Sequence, residues 1–147
     1  DAVIAGCQQH RVQQGLGTWI TPEMITAYSL LFAAGDAHCI ACYSKGRLVG
    51  GLYGISVGSV FCGESMFSLE SNASKVAFCH LVRTCRTLGI NLIDCQMPNP
   101  HLLSLGAEVL PRTTFLRLLA DFADTAVDWS QLAGPLAAWN KDARSSS

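Results

Sequence analysis

Three polar residues sit in apolar surroundings where a side chain of their type could handle protons. Glu64 interrupts the run Phe61-Cys62-Gly63-Glu64-Ser65-Met66-Phe67, and Asp94 and Gln96 close the run Leu92-Ile93-Asp94-Cys95-Gln96. Side chains on a strand alternate between its two faces. Read as a strand, the first run puts Glu64 on one face with Cys62 and Met66, and Phe61, Ser65 and Phe67 on the other. The second puts Asp94 and Gln96 on one face, close enough for their heads to touch. A carboxylate that fixes a neighbouring carboxamide leaves the amide oxygen to accept from an incoming amine or hydroxyl. Plain structural roles stay open for both acids: Glu64 half solvated at a strand end or paired with an arginine, and Asp94 capping the turn before Pro98.

Composition narrows the chemistry. Ten Lys+Arg against eleven Asp+Glu give a net charge of −1 over 147 residues, which weighs against a protein that coats duplex nucleic acid and leaves only local basic patches. The seven cysteines are odd in number and fall largely in apolar segments, so no secreted disulfide framework is predicted. Cys39-x-x-Cys42 beside His38 has the spacing of half a zinc site, but no second pair of matching spacing follows, and no metal is predicted. No apolar run approaches the roughly 18 to 20 residues that cross a bilayer, and Asp1-Ala2-Val3-Ile4 is no signal peptide. The expectation is a cytoplasmic protein without a membrane partner.

The elements that must position these residues follow from pattern. Residues 1–17 open with a short amphipathic piece, Val3 to Cys7, and read as a connection. Thr21-Pro22-Glu23 starts a helix that Gly35 ends, with Met24, Ala27, Tyr28, Leu31 and Phe32 at helical spacing. Ala37 to Tyr43 and Arg47 to Ser56 are β-type runs joined at Ser44-Lys45-Gly46, and Val57-Gly58-Ser59 turns the chain into the Glu64 run. Residues 71–88 are helical, with Ser71 and Asn72 as caps and Gly89 as the stop. The Asp94 run then makes a β-α-β connection. A helical turn at His101 to Leu105, a short strand at Ala107 to Leu110 and a helix at Thr113 to Ala120 complete the order, and the tail from Asp121 loses periodicity. The length and 50% hydrophobic content suit a single core. This predicts an α/β (α+β) fold with a mixed sheet, antiparallel at first, whose element order resembles the acetyltransferase-like GNAT fold.

Seven blocks carry a more specific resemblance: Gly17-Thr18-Trp19-Ile20, Gly35-Asp36-Ala37-His38, Leu48-Val49-Gly50-Gly51-Leu52-Tyr53-Gly54, Phe61 to Phe67, Asn72-Ala73-Ser74-Lys75, Leu92 to Gln96, and Ser104-Leu105-Gly106-Ala107 followed by Arg112. In this order they resemble the leucyl/phenylalanyl-tRNA–protein transferases. The resemblance implies transfer of Leu or Phe, with Met also tolerated, from aminoacyl-tRNA to the α-amino group of a protein that begins with Arg or Lys, which creates an N-end-rule degradation signal. The donor ester is already activated, so neither a cofactor nor an enzyme nucleophile is implied, and Cys62 and Cys95 need not be catalytic. The roles it implies are Asp94 as base, Gln96 as relay, and Glu64 as holder of the basic N-terminal residue or its amine. It also implies an apolar amino-acid pocket of Trp19, Leu52, Phe61, Met66, Phe78, Leu81 and Ile93. Lys75, Arg83 and Arg86 on the long helix offer the best basic face for weak tRNA contact.

By the same resemblance, residues 1–17 are expected to be a junction to a family N-terminal domain outside this sequence. Residues 18–120 are then the GNAT-like transferase domain and 121–147 a partly irregular extension. An acyl-CoA-dependent N-acetyltransferase and a non-catalytic binder of basic N-termini are the rival readings. Against the first stands Leu69-Glu70-Ser71-Asn72-Ala73-Ser74-Lys75, which has an acid and no glycine where a pyrophosphate loop would open the central helix.

Overall fold

In the computed structural model the described residues are 1–132. Two turns shape the first half of the sheet. β1 (Ala37–Ser44) and β2 (Arg47–Val57) pair antiparallel with Ser44 opposite Arg47. That leaves a two-residue loop in which Lys45 (φ 50°) and Gly46 (φ 77°) both take positive φ, the twist-matched hairpin geometry. β3 (Val60–Ser68) returns antiparallel to β2, and β4 (Leu92–Asp94) joins β3 in parallel through Val60, Phe61 and Cys62, giving the order β1-β2-β3-β4.

The helices cover both faces. α1 (Ala2–Gln13) and α2 (Pro22–Ala34) lie on one side, where Val3, Ile4, Cys7 and Ile20 pack with Tyr53 and Phe67. The residues expected to be a connection are therefore a helix, whose buried edge is Val3, Ile4 and Cys7. Gly6 allows its close approach: a Cβ there would stand 2.5 Å from the Phe67 ring. Thr21 caps α2 as expected, its hydroxyl accepting from the Met24 amide at 3.3 Å. α3 (Ala73–Leu88) crosses the other face and buries Ala77, Phe78, Leu81 and Cys85 against Leu52 and Phe61. Its expected caps give way to Ser68, whose hydroxyl accepts from the Ser74 amide at 3.2 Å, while the Asn72 side chain makes no capping bond.

Two further departures concern the strands. Residues 107–110 are not a strand; β4 ends at Asp94 and offers no further rung beside which they could pair. They follow α4 (Pro100–Ser104) and lead into α5 (Arg112–Phe122), which runs two residues past the expected end, and a 3-10 turn forms at Trp129–Leu132. The second departure is a bulge. Tyr53 pairs with Ser65 and Gly54 with Gly63, so Glu64 has no partner on β2. One extra residue reverses the alternation beyond it. Phe61 and Met66 thus both pack on the α3 side, while Phe67 joins Tyr53 on the α1 side. The expected sharing of faces by Phe61 with Phe67, and by Glu64 with Met66, is corrected accordingly. No helix among the described residues is long and apolar enough to cross a membrane, and no group of His, Cys, Asp and Glu among them could hold a metal ion.

Candidate active site

The short parallel seam between β3 and β4 sets the site. Beyond Asp94 the chain leaves the sheet, and Gln96 takes φ +62°, a conformation non-glycine residues rarely adopt. Asp94 and Gln96 are therefore not successive residues of one strand face, as alternation suggested. They are joined by a turn in which Asp94 Oδ1 accepts from the Gln96 backbone N–H at 2.8 Å. The Gln96 carboxamide is fixed by another group: its Nε2 donates to the Gly63 carbonyl at 2.9 Å. A bond between the two residues is present, but the partner that orients the amide is Gly63. Strain held by surrounding bonds is common where a side chain must be aimed. The Gln96 oxygen is left as the acceptor.

A cavity of about 750 Å³ opens beside this turn and is lined by Asp94, Gln96, Phe78, Ile93, Arg86 and Arg112, among others. It combines an apolar wall from α3 and β4, a carboxylate and a carboxamide at one end, and two guanidinium groups. Arg112 was matched within the sequence blocks but given no role; its place right after Pro111, at the first turn of α5, was the available signal. The Gly63 carbonyl, one residue beyond the last β3–β4 rung at Cys62 and Asp94, is open to Gln96 because β4 ends there, which no local pattern in the strand signals.

The other expected residues are distributed more widely. Glu64 does not line this cavity. Its carboxylate lies by the Tyr28 hydroxyl, where burial and then the Glu64 charge raise the phenol to about 12. Leu52, Phe61 and Leu81 line a second cavity of about 210 Å³ with His38, Thr84 and Trp129. Met66 packs against the α3-side core, and Trp19, 43% exposed, sits in the α1–α2 connection and lines neither cavity. Of the seven apolar positions, Phe78 and Ile93 are the two brought together with Asp94. Lys75, Arg83 and Arg86 share the exposed face of α3, and Arg86 also reaches the cavity.

The cysteines nearest the acids are poor nucleophiles. Cys62 is raised above the usual thiol range by burial, then by the Asp94 and Glu64 charges, and Cys95 by burial and then by Asp94. A protonated thiol is not the reactive form. The geometry therefore suits a reaction in which the protein orients two reactants and accepts a proton, without a covalent protein intermediate.

The fold defines the class. The chain superposes on a ribosomal-protein-alanine N-acetyltransferase from Brucella melitensis biovar Abortus with a TM-score of 0.53 over 74% of this chain and 83% of that one, at 13% identity, so the architecture is that of the GNAT N-acyltransferases. Within that architecture the sequence is particular: the model of the family described as leucyl/phenylalanyl-tRNA protein transferase matches residues 1–120. The chain is 52% identical over 117 residues to the leucyl/phenylalanyl-tRNA–protein transferase of Syntrophotalea carbinolica, covering 80% of this chain and 51% of that protein. It is 55% identical over 120 residues to that of Shewanella denitrificans, covering 82% and 50%. The chain belongs to the leucyl/phenylalanyl-tRNA–protein transferase family, and it spans about half the length of the curated relatives it matches.

Proposed function

We propose that this chain carries the catalytic part of an aminoacyltransferase that moves Leu or Phe, and also Met, from its tRNA to the α-amino group of proteins beginning with Arg or Lys, marking them for N-end-rule degradation. The observation that carries the reading is the Asp94–Gln96–Gly63 turn at the mouth of the cavity walled by Phe78 and Ile93. An α-amino group has an unperturbed pKa of about 8, so it arrives largely as an ammonium. Asp94 takes its proton, and the Gln96 oxygen, held by the Gly63 anchor, accepts from the remaining N–H and aims the nitrogen. The freed amine attacks the ester carbonyl; as the carbon–oxygen bond to the ribose breaks, the nitrogen gives up a second proton, which passes to the ribose oxygen, and the amide forms while the first proton leaves Asp94 to solvent. The apolar wall receives the side chain of the donor, and shallow apolar discrimination accounts for tolerance of Leu, Phe and Met.

Arg86 and Arg112 supply positive charge beside the site for the phosphates of the tRNA end, with Lys75 and Arg83 extending the same charge along α3. Glu64, beside Tyr28, serves as the counter-charge for the basic N-terminal residue. An acyl-CoA donor is disfavoured at the start of α3: Glu70 brings negative charge there and pairs with Arg47 at 3.4 Å, and the Ser74 amide is already occupied by Ser68.

The test is transfer of labelled leucine from leucyl-tRNA to a peptide beginning with Arg. Transfer by the chain, lost in Asp94→Asn and reduced in Gln96→Ala, is the expected result. Undiminished transfer in both variants overturns the assigned roles, and acetylation of the peptide from acetyl-CoA in place of aminoacylation overturns the function.

A further inference from the structure

The turn after β4 presents more than the carboxamide. Gln96 is followed by Met97, whose backbone N–H donates to the Cys95 carbonyl at 2.8 Å. The backbone is thus held, yet the residue is 75% exposed, the most of any large apolar residue among the described residues. Met97 lines the cavity beside Asp94, and so do Leu103 on α4 and Val109 and Leu110 in the segment before α5, all of them exposed. Single exposed apolar side chains are ordinary, but several bordering one cavity mark a surface that meets a partner. The cavity also has room to spare. A ring the size of benzene is taken up by roughly 150 Å³, so the Leu or Phe side chain of the donor fills a small part of about 750 Å³.

We propose that Met97, with Leu103, Val109 and Leu110, forms a subsite for the second residue of the acceptor polypeptide and favours an aliphatic side chain there. The subsite rests on the transfer reading for the position of the acceptor amine, at Gln96. Successive Cα atoms are about 3.8 Å apart, in the acceptor as in this chain, so a polypeptide whose first residue meets Gln96 has its second within reach of Met97. The chemistry of these side chains suits a peptide better than the end of a tRNA. Bases stack on aromatic rings and phosphates pair with cations, whereas these four side chains carry neither ring nor charge. Glu108, next to Val109 and also lining the cavity, adds a negative charge that repels phosphate and tolerates a basic peptide. An unbranched thioether adapts its shape to the group it meets, which suits acceptors that differ in sequence.

The test is binding of two peptides, Arg-Leu-Gly-Gly and Arg-Ser-Gly-Gly, each labelled at its C-terminus and followed by fluorescence anisotropy. Methionine-methyl spectra locate the contact: the chain has 3 Met, and the Met97 signal is the one lost in Met97→Leu. The Leu peptide should shift that signal saturably and bind about tenfold more tightly than the Ser peptide, as for burial of about two CH₂ groups. In Met97→Ser the preference should shrink to about twofold, and Met97→Leu should keep it. Equal affinity for the two peptides, or a preference that Met97→Ser leaves unchanged, overturns the subsite. So does a Met97 signal that moves with tRNA and with neither peptide, which assigns these side chains to the nucleic acid. Transfer of labelled leucine is scored separately. Transfer to both peptides without a preference sinks the subsite and leaves the function standing, whereas a Met97-dependent preference without transfer keeps the subsite and sinks the function.

Discussion

The Gln96 amide is tied to the backbone of the neighbouring strand: its nitrogen donates to the Gly63 carbonyl at 2.9 Å, on the residue just before the bulged Glu64. Geometry at the site thus depends on where β4 parts from β3 as much as on the acid two residues earlier.

Gln96→Glu keeps the size of the side chain but puts an acceptor where the Gly63 carbonyl needs a donor. Aminoacyl transfer should fall about a hundredfold, the low end of what positioned proton handling contributes. Since Gln96 is exposed, the midpoint of thermal unfolding should barely move. Single-turnover transfer and a melting curve on the same preparation check the pair of outcomes.

Gly6→Ala addresses packing. The added methyl meets the buried Phe67 ring, and overpacking of this kind costs about 1–3 kcal/mol. Denaturant unfolding should show the loss as a lower midpoint with an unchanged slope, because no additional surface is exposed.

His38 sets a pH dependence. Its folded pKa, about 4, lies below the ordinary 6.5. Between those values the unfolded chain binds the proton and the folded chain does not. The stability contributed by the neutral ring is therefore present above pH 6.5 and declines as pH falls towards 4. His38→Phe, which keeps an aromatic ring against Trp129, should flatten this part of the stability–pH curve relative to wild type.

Ser59→Ala removes a fully buried hydroxyl that donates to the Phe122 carbonyl at 3.3 Å and accepts from the Asn91 amide at 3.2 Å. Leaving those partners unsatisfied should cost about 1–3 kcal/mol, measurable by chemical denaturation.

Much of the scaffold was written in local pattern. Thr21-Pro22 at the start of α2, Gly46 in the hairpin and Gly89 after α3 each stand where the backbone favours that residue type. What local pattern did not carry was long-range. The bulge at Glu64 arises from pairing with β2 and has no signature in the strand itself, so strict alternation assigned Phe67 and Met66 to the wrong faces. α1 lacks a side-chain cap and buries only Val3, Ile4 and Cys7, so its helicity rests on the sheet beneath it. That Asp94 and Gln96 come together was legible in their spacing. That a left-handed turn joins them, and that Gly63 orients the amide, depends on how soon β4 leaves the sheet.

Ser59 links segments far apart in the chain. Its backbone and side chain receive Asn91, 32 residues on, and reach Phe122, 63 residues on. Contacts between such distant residues require closing long loops, which slows folding. The β1–β2–β3 meander is local and can form early, whereas β4 and the end of α5 lock onto it only after those loops close. Since β4 bears Asp94, the turn that joins it to Gln96 would be among the last parts of a newly made chain to take shape.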